Sequence, residues 1–430
     1  MNLIIHRGTQ QIGGSCVEVQ SGEDRILLDL GLPLPTGKDD ARITGQTQAE
    51  LLASGIMPSI NGVYADSTPE VRAVLMTHVH PDHIGLGPWV HPTIPIYATE
   101  GTWALHDVMQ VFGPNLPDIA TRQTLPKKTP AKFGALTVTA IPVDHSAPDA
   151  VALLVEADGK RLLYSGDLRA HGRKTYLWDN LMKSDLKGTI DVLLLEGTTI
   201  GRPQGEIVTE QSLEPKLLQM LDGQKHLALL FCSPQNLDRV VTIFRAVKQR
   251  RKIMVIDLYT AYTLRALGCL SPSVPQWDWP EIRVIQWGYQ QEQLKKAGQE
   301  SFIEETRKHS IGWKGLKARP QDIVLLMRAN FKAADLEKNF GDEVAQMQFI
   351  WSMWEGYWKD DRYVRPLCEK HGIKRETLHT SGHADWQDLK ILVDALQPKA
   401  IVPIHTAHGA DYARDLANVR LLGDGELSAV

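Results

Sequence analysis

Three histidines and an aspartate fall within six residues of one another, directly after a short apolar run at residues 71–76. These four residues are His78, His80, Asp82 and His83. Side chains alternate along an extended chain, so His78 and His80 point to the same side. Pro81 ends the extended run, which turns the two following candidates towards a second position. Because imidazole and carboxylate groups suit Zn²⁺, the sequence predicts a metal site at the end of a buried strand.

Three further candidate ligands stand at the ends of predicted strands elsewhere in the chain. They are His145, Asp167 and His405. We assign His78, His80 and His145 to one metal ion, and Asp82, His83 and His405 to the other. We expect Asp167 to lie between the two ions and to bind both. Two Zn²⁺ ions are expected, with Mn²⁺ or Fe as alternatives, because ligand type favours a metal without determining it.

The composition is that of a globular chain without a strong bias towards a polyanionic partner. The chain has 430 residues, 43% of them hydrophobic, which predicts two or three domains and a sizeable core. A net charge of −4 leaves no global excess of Lys and Arg for nucleic acid or an anionic membrane. The four cysteines include no CxxC pair, which argues against a thiolate zinc site and fits a reducing cytosol. With no signal-peptide pattern and no apolar run of membrane length, we expect a cytoplasmic protein with no membrane partner.

The chain alternates between two styles of secondary structure. Short predicted strands and hairpin turns dominate residues 1–197, and the same style returns near the C-terminus, where residues 378–381 and 419–422 are predicted strands. Between these parts, helices alternate with apolar strands, as in βαβ units on a mostly parallel sheet. We therefore predict an inserted domain at residues 198–369, inside a host domain built from residues 1–197 and 370–430.

The predicted insert is rich in tryptophan, with seven of the eleven in the chain. Core packing is one role for these side chains. The alternative is a surface on which nucleobases stack, beside a basic stretch at residues 248–252. Within residues 351–357, which we expect near the cleft between the domains, the aromatic side chains fit either role.

The histidine cluster and its order along the chain resemble the metallo-β-lactamase fold, an αββα sandwich with a dinuclear metal site at one edge. Asp29, in the sequence Leu-Leu-Asp-Leu-Gly, matches an early aspartate of that family. The match implies that Asp29 supports the site without binding a metal directly. The insert resembles the cassette of the β-CASP nucleases. We therefore expect an α/β protein in which an αββα metallo-β-lactamase sandwich is interrupted by an inserted βαβ, or β-CASP, domain.

Three residues carry the resemblance to the β-CASP group. They are Glu196 at the end of a strand, His383 in a loop of small residues, and His405 near the C-terminus. RNA-directed members typically have His at the last position and DNA-repair members have Val, so the resemblance implies an RNA substrate. It also points to the ribonuclease J group, here without that group's additional C-terminal domain.

The resemblance implies a role for each residue around the metals. The two ions would polarise a phosphodiester and convert a shared water into a hydroxide nucleophile, with Asp82 as a catalytic ligand. His383 would protonate the leaving oxygen as general acid, and Glu196 would favour its charged form. The candidate substrate-binding residues are Ser381, Gly382, Ser233 and Arg239. Ser233 has the alternative role of capping the helix that follows it.

Three functional hypotheses remain open from the sequence. The first is a metal-dependent ribonuclease of the β-CASP type that acts on single-stranded RNA. The second is a deoxyribonuclease or a small phosphodiester hydrolase of the same fold, and His405 weighs against the DNA-repair branch. The third is a non-catalytic subunit that keeps metal for stability while it binds a partner. A homo-oligomer is compatible with all three.

Overall fold

The computed structural model describes residues 1–34, 43–113, 117–203 and 205–430. Among these residues the strands are, in chain order, β1 Asn2–Arg7, β2 Cys16–Ser21, β3 Asp24–Leu28, β4 Ala73–Leu75, β5 Ile96–Ala98, β6 Arg122–Thr124, β7 Ala131–Phe133, β8 Leu136–Pro142, β9 Val151–Ala157, β10 Lys160–Tyr164, β11 Val192–Glu196, β12 Ala228–Phe231, β13 Ile253–Asp257, β14 Ile282–Ile285, β15 Ile323–Met327, β16 Gln348–Trp351, β17 Glu376–Thr377, β18 Ala400–Ile404 and β19 Leu427–Ala429.

The α-helices of the same residues are α1 Gln48–Ala53, α2 Pro81–Ile84, α3 Glu100–Phe112, α4 Thr175–Met182, α5 Glu210–Met220, α6 Leu237–Gln249, α7 Leu258–Leu267, α8 Gly288–Lys296, α9 Glu300–Arg307, α10 Trp313–Ala318, α11 Ala333–Phe340, α12 Glu355–Lys359, α13 Val364–His371, α14 Trp386–Leu396 and α15 Tyr412–Asp415. Short 3₁₀ helices lie at Gly87–Trp89, Pro320–Asp322, Gly341–Gln346 and Gly409–Asp411. In the described ranges, no helix has the length and apolar character that a membrane crossing requires.

The strands of the described residues form three sheets. The first has the order β19-β1-β2-β3-β4-β5-β6, and the second has the order β18-β11-β10-β9-β8-β7. Both sheets therefore combine strands from the two ends of the chain. The third has the order β14-β13-β15-β12-β16-β17, and all its neighbouring strands are parallel. The third sheet is made entirely from the middle of the chain.

The alternation of side chains along β9 shows how the first two sheets pack. Val151, Leu153 and Val155 face the core between the two sheets. Ala152 and Leu154 face the opposite way, into a core shared with α4 and α14. A further core, which includes side chains of α1 and α3, covers the outer face of the first sheet. Two sheets with helices on both outer sides form an αββα sandwich, so the predicted fold class is confirmed.

The third sheet is buried on both faces, as parallel sheets generally are. Along β12, Ala228 and Leu230 face a core that contains side chains of α5, α6 and α7. Leu229 and Phe231 face a second core with α11 and α13. The helix–strand alternation predicted for this part of the chain agrees with the order β12-α6-β13-α7-β14. The domain boundaries at residues 197/198 and 369/370 stay a prediction.

One strand predicted near the C-terminus is wrong, and another is reduced to a single bridge. Residues 378–381 form a loop, because the carbonyl oxygens of Leu378 and Thr380 accept hydrogen bonds from the Arg239 side chain and not from a neighbouring strand. At residues 419–422 the structure has an isolated bridge to β18.

Candidate metal centre

Three parallel strands of the second sheet carry candidate residues at the edge where they end. Strands β10, β11 and β18 lie side by side in parallel, and β11 and β18 pair up to their last residues. Asp167 follows β10, Glu196 ends β11, and His405 follows β18 directly. The backbone N–H of Val151 donates to the Thr77 carbonyl, which joins the end of β4 to the same edge. Residues from both sheets therefore meet at one place.

The first predicted ligand set converges on Asp167. His78 Nε2 lies 3.1 Å from His80 Nδ1, and His145 Nε2 lies 3.2 Å from the same His80 atom. Asp167 Oδ2 is 3.7 Å from His78 Nε2 and 3.9 Å from His145 Nε2. Three ring nitrogens and one carboxylate oxygen at these distances can surround a single ion.

The second predicted ligand set lies near the same carboxylate oxygen. Asp167 Oδ2 is 3.1 Å from His83 Nε2 and 3.9 Å from His405 Nε2. His405 Nε2 is 3.6 Å from Asp82 Oδ2. The structure thus brings all seven predicted ligands together, with Asp167 within reach of both sets.

Asp29 is fully buried beneath the second set. Its carboxylate accepts hydrogen bonds from the backbone N–H and the hydroxyl of Thr77, at 2.7 and 2.8 Å, and from the Tyr164 hydroxyl at 2.8 Å. It also lies 2.8 Å from Nδ1 of His83, which leaves Nε2 of that ring for a metal. This is the geometry that a supporting role for Asp29 requires.

Two further ligand histidines have their second ring nitrogen held by a neighbour. His405 Nδ1 lies 2.7 Å from the Ser15 hydroxyl, and His145 Nδ1 lies 2.6 Å from the Gly382 carbonyl oxygen. Partners of this kind fix the tautomer and the orientation of a ligand imidazole. They therefore aim both Nε2 atoms into the cluster.

Close backbone packing positions the second set. Helix α2 begins at Pro81, a position where the missing N–H of proline costs nothing. Gly31 approaches this turn so closely that a Cβ atom would lie 1.7 Å from the Asp82 carbonyl oxygen. His405 has a φ of 55°, a left-handed conformation that costs a non-glycine residue about 1–3 kcal/mol. The surrounding structure therefore holds His405 in a backbone geometry that it would not adopt alone.

Three buried atoms of the cluster have no hydrogen-bond partner. They are His405 Nε2, Asp167 Oδ1 and His83 Nε2, the last of which lies 3.1 Å from Asp167 Oδ2 without forming an aligned hydrogen bond. An unpaired buried polar group costs about 1–3 kcal/mol, and a cation bound between the rings would satisfy the two ring nitrogens. Burial lowers the pKa of His80 to about 4, and it lowers the pKa of His78 and His145 well below the usual value. These rings are therefore neutral, the form that binds a metal, and the donor set fits a divalent ion such as Zn²⁺.

His383 and Glu196 form a pair beside Asp167. His383 Nδ1 is 3.2 Å from Glu196 Oε1 and 3.7 Å from Asp167 Oδ2. Glu196 is fully buried, and its carboxylate also accepts from the backbone N–H groups of Leu168 and Thr198. Burial lowers the pKa of His383, but the carboxylates of Glu196 and Asp167 outweigh it, so the pKa of His383 is raised.

Ser381 and Gly382 precede His383 in the same loop, and their carbonyl oxygens are used inside the protein. The Ser381 carbonyl accepts from Arg169 and His171, and the Gly382 carbonyl holds a ligand histidine as described above. The Ser381 hydroxyl accepts from the backbone N–H of His383. A cavity of about 290 Å³ lies beside this loop.

Arg239 is not at the surface of the site, contrary to the prediction that it contacts substrate. Its side chain is fully buried. Both Nε and Nη2 donate to the Glu210 carboxylate, and Nη1 donates to the carbonyl oxygens of Ser352 and Leu378. Because the guanidinium is used within the protein, its role is structural.

Ser233 is exposed at the start of the segment that leads into α6, but it does not cap that helix. The cap is Asn236, whose side chain accepts from the backbone N–H of Arg239. Pro234 disfavours a helical conformation at the residue before it, and the helix begins three residues beyond it, at Leu237.

Sequence reasoning missed residues that orient candidate ligands, hold Asp29 or hold the loop before His383. They are Thr77, Ser15, Tyr164, Arg169 and His171. Thr77 was detectable, because it adjoins the histidine cluster and follows the buried strand. Ser15 carried no local signal, since it is 390 residues away from His405 in the chain.

Two family models match the chain. One, described as a beta-lactamase superfamily domain, matches residues 53–255. The other, described as a Zn-dependent metallo-hydrolase RNA specificity domain, matches residues 373–420. Together the two matched ranges contain every candidate ligand, the Glu196 carboxylate and His383.

Several curated proteins are similar to this chain at low identity. Ribonuclease J of Helicobacter pylori is 21% identical, over 93% of this chain and 55% of that protein. Ribonuclease J of Mycoplasma genitalium is 23% identical, over 93% of this chain and 66% of that protein. An RNase J-like protein of Methanocaldococcus jannaschii is 22% identical, over 65% of this chain and 63% of that protein. The chain thus spans little more than half the length of the Helicobacter protein.

A solved structure has the same fold. It is a protein of unknown function from Enterococcus faecalis, with a TM-score of 0.79 and 22% identity, and the match covers 100% of this chain and 99% of that one.

Proposed function

We propose that this chain, a ribonuclease J-like member of the metallo-β-lactamase superfamily, is a metal-dependent ribonuclease that hydrolyses phosphodiester bonds in single-stranded RNA. The observation that carries the proposal is the His383–Glu196 pair beside Asp167, the aspartate that both ligand sets share. A metal site alone serves many reactions within one fold. A positioned proton donor next to two ligand sets fits cleavage of a phosphodiester, whose leaving oxygen must be protonated.

The two ligand sets would hold a pair of divalent ions, with Asp167 reaching both. Zn²⁺ is our first choice and Mn²⁺ or Fe are alternatives. Such ions polarise a phosphodiester and acidify a water molecule. The Asp82 carboxylate contributes negative charge to the second set, so its loss should reduce both metal affinity and turnover.

His383 is the proposed proton donor. Its Nδ1 atom faces Glu196, so Nε2 is the atom that can reach a leaving oxygen. Glu196 holds the ring in place and stabilises the imidazolium. The His383 side chain is 20% exposed, which leaves its ring within reach of a substrate in the cleft.

The substrate path is proposed to run between the host domain and an inserted domain at residues 198–369. The cavity beside the His383 loop is lined from both parts, by residues 199, 202–203 and 205–208 and by residues 379–381, 383 and 385. The Ser381 hydroxyl, the Gly382 backbone and the exposed Ser233 are the proposed phosphate contacts. RNA is favoured over DNA by His405 at the last ligand position and by the description of the family model that covers it.

The proposal is tested by cleavage of 5′-labelled single-stranded RNA and of the matching DNA, with Zn²⁺ or Mn²⁺ present. We expect wild type to cut RNA, Asp82→Asn to be inactive, and His383→Ala to lose turnover while it keeps bound metal. His226→Ala, which removes an exposed histidine far from the cluster in sequence, is the matched control and should retain activity. Wild-type protein with both ligand sets loaded that leaves RNA intact would contradict the proposal, and preferential cutting of DNA would redirect it to deoxyribonuclease activity.

A further inference from the structure

Two aromatic side chains are exposed where the chain leaves the third sheet. Trp354 is 46% exposed and Tyr357 is 62% exposed. Their rings touch edge to face, with centroids 5.5 Å apart. Large aromatic side chains exposed together are unusual on a protein surface and commonly mark a binding site.

Neighbouring tryptophans show what core packing looks like in this segment. Trp351 is buried to 1% exposure and packs edge to face on Trp358 at 5.0 Å. Its indole N–H reaches the Trp354 carbonyl oxygen at 3.4 Å, which anchors the backbone beneath the exposed ring. The segment therefore divides its aromatic side chains between a core role and an exposed role.

Gly356 leaves room for the ring of the exposed Trp354. A Cβ atom at this position would lie 2.2 Å from the Trp354 ring, closer than any real contact of this kind. The glycine therefore lets the indole lie against the start of α12, and an alanine there would displace the ring.

One arginine connects the exposed aromatic pair with the cavity beside the His383 loop. The Arg202 guanidinium lies 5.1 Å from the centre of the Trp354 ring. Arg202 also lines the cavity that contains Ser381 and His383. The aromatic pair thus lies beside an arginine that also lines the cavity at the His383 loop.

Resting on the proposed ribonuclease function, we propose that Trp354 and Tyr357 form a stacking platform for one unpaired nucleobase of the RNA, next to the phosphate that is cleaved. Aromatic rings stack on any base through its π-face, and a nearby arginine adds attraction for the base and the phosphate backbone. A platform of this kind accepts single strands and excludes a paired base, since only an unpaired base can leave its stack. The residues determine which substrates bind and take no part in proton transfer.

The platform is tested by steady-state kinetics on a single-stranded RNA. We expect Trp354→Ala and Tyr357→Ala each to raise KM about tenfold, with kcat within about twofold of wild type. Trp354→Phe and Tyr357→Phe should restore most of the affinity, because they keep a ring. Gly356→Ala should behave like a weaker Trp354→Ala, since it displaces that ring. Tyr363→Ala, which removes a tyrosine of 47% exposure from the same part of the chain, should leave KM unchanged.

A second arm identifies the contact as base stacking. The same RNA is prepared as a series in which a single abasic ribose occupies a different position in each strand. At one position the abasic site should raise the KM of wild type by about the factor expected for the alanine variants. The alanine variants should lose nothing further at that position. The platform would be overturned if both alanine variants had the KM of wild type. It would also be overturned if the substitutions raised KM by the same factor on intact RNA and on the abasic RNA.

The two proposals fail in different ways. If wild type cleaves RNA and the alanine variants match it, the platform is wrong and the ribonuclease stands. If wild type cleaves no RNA, the binding of a 2-aminopurine RNA distinguishes the remaining cases. If wild type quenches the 2-aminopurine fluorescence and Tyr357→Ala does not, the platform is supported and the nuclease proposal is contradicted. If wild type causes no quenching, both proposals are contradicted.

Discussion

The candidate metal centre and a pair of buried arginines both contact the loop of residues 378–383. They differ in whether their buried polar atoms have hydrogen-bond partners. In the metal centre, ring nitrogens and a carboxylate oxygen are buried with no hydrogen-bond partner. Arg169 and Arg239 are equally buried, yet their guanidinium groups are paired. Arg169 donates to Asp144, to Asp238 and to the Ser381 carbonyl.

The difference separates a binding site from a structural support. Paired buried charges stay in place without a ligand, whereas unpaired buried atoms need an ion to offset their desolvation. The arginines hold the carbonyl oxygens of Leu378, Thr380 and Ser381, and His383 follows directly. The fully paired cluster therefore fixes the loop that places His383 beside the unpaired cluster.

The largest effect should come from the aspartate that both ligand sets share. Asp167→Asn removes the charge within reach of both sets, so we expect loss of metal and a fall in RNA cleavage of about three orders of magnitude or more. Metal content by mass spectrometry and a cleavage assay measure the two effects. Asp179→Asn, at an exposed position on α4, is the control and should bind metal normally. Full metal content in Asp167→Asn would mean that the unpaired atoms are not a metal site.

The next largest effect should be on folding. Arg239→Met leaves the buried Glu210 carboxylate without its partner, so the free energy of unfolding should fall by about 3–5 kcal/mol, as measured by denaturant unfolding. Arg245→Met removes an arginine from the same helix whose side chain is 56% exposed, and it should cost less than about 1 kcal/mol.

Folding experiments can also contradict the structural role of Arg239. Replacing both partners, with Glu210→Gln and Arg239→Met together, should recover part of the lost stability, since no buried charge is then unpaired. If Arg239→Met folds as stably as wild type but loses RNA affinity, the arginine is a substrate contact after all.

A smaller effect on metal affinity should follow from substitution of Asp29, which supports the second ligand set. Asp29→Asn weakens the contact that orients His83, so metal affinity should fall about 10- to 100-fold, measured by competition with a chelator. Tyr164→Phe removes a single hydrogen bond to the same carboxylate and should cost less. Equal affinities in wild type and Asp29→Asn would mean that the ring is oriented by other contacts.

The smallest effect should appear in the pH dependence of the arginine cluster. Burial raises the pKa of Asp238, but Lys174 and Arg169 outweigh it and hold that pKa below its usual value. The stabilising contribution is therefore complete above about pH 4 and is lost as the pH falls through the lowered pKa. The free energy of unfolding, measured in chelator across this pH range, should depend less steeply on pH for Asp238→Asn than for wild type. Identical slopes would mean that another carboxylate controls the acid sensitivity.

The sequence predicted that the candidate ligands converge, because several of them follow the ends of strands. Asp167, Glu196 and His405 follow or end neighbouring parallel strands, so topology alone brings them together. The supporting contacts could not be predicted in this way. Ser15 and His405 come together only in the folded chain. Arg239 is a charged residue near the start of a helix, and such residues are usually exposed.

The same contrast explains the wrong strand. Residues 378–381 contain an apolar residue followed by three polar ones, a pattern that fits a strand end. The carbonyl oxygens of this segment are instead held by side chains from distant parts of the chain, at Arg169 and Arg239. Local patterns cannot report a backbone whose hydrogen-bond partners are side chains far away in sequence.

The most direct single measurement is a Zn²⁺ titration of metal-free protein in which RNA cleavage and bound zinc are recorded together. We predict that cleavage appears as the two ligand sets fill and reaches its maximum at about two ions per chain. A chain that binds both ions and still leaves single-stranded RNA uncut would contradict the central claim.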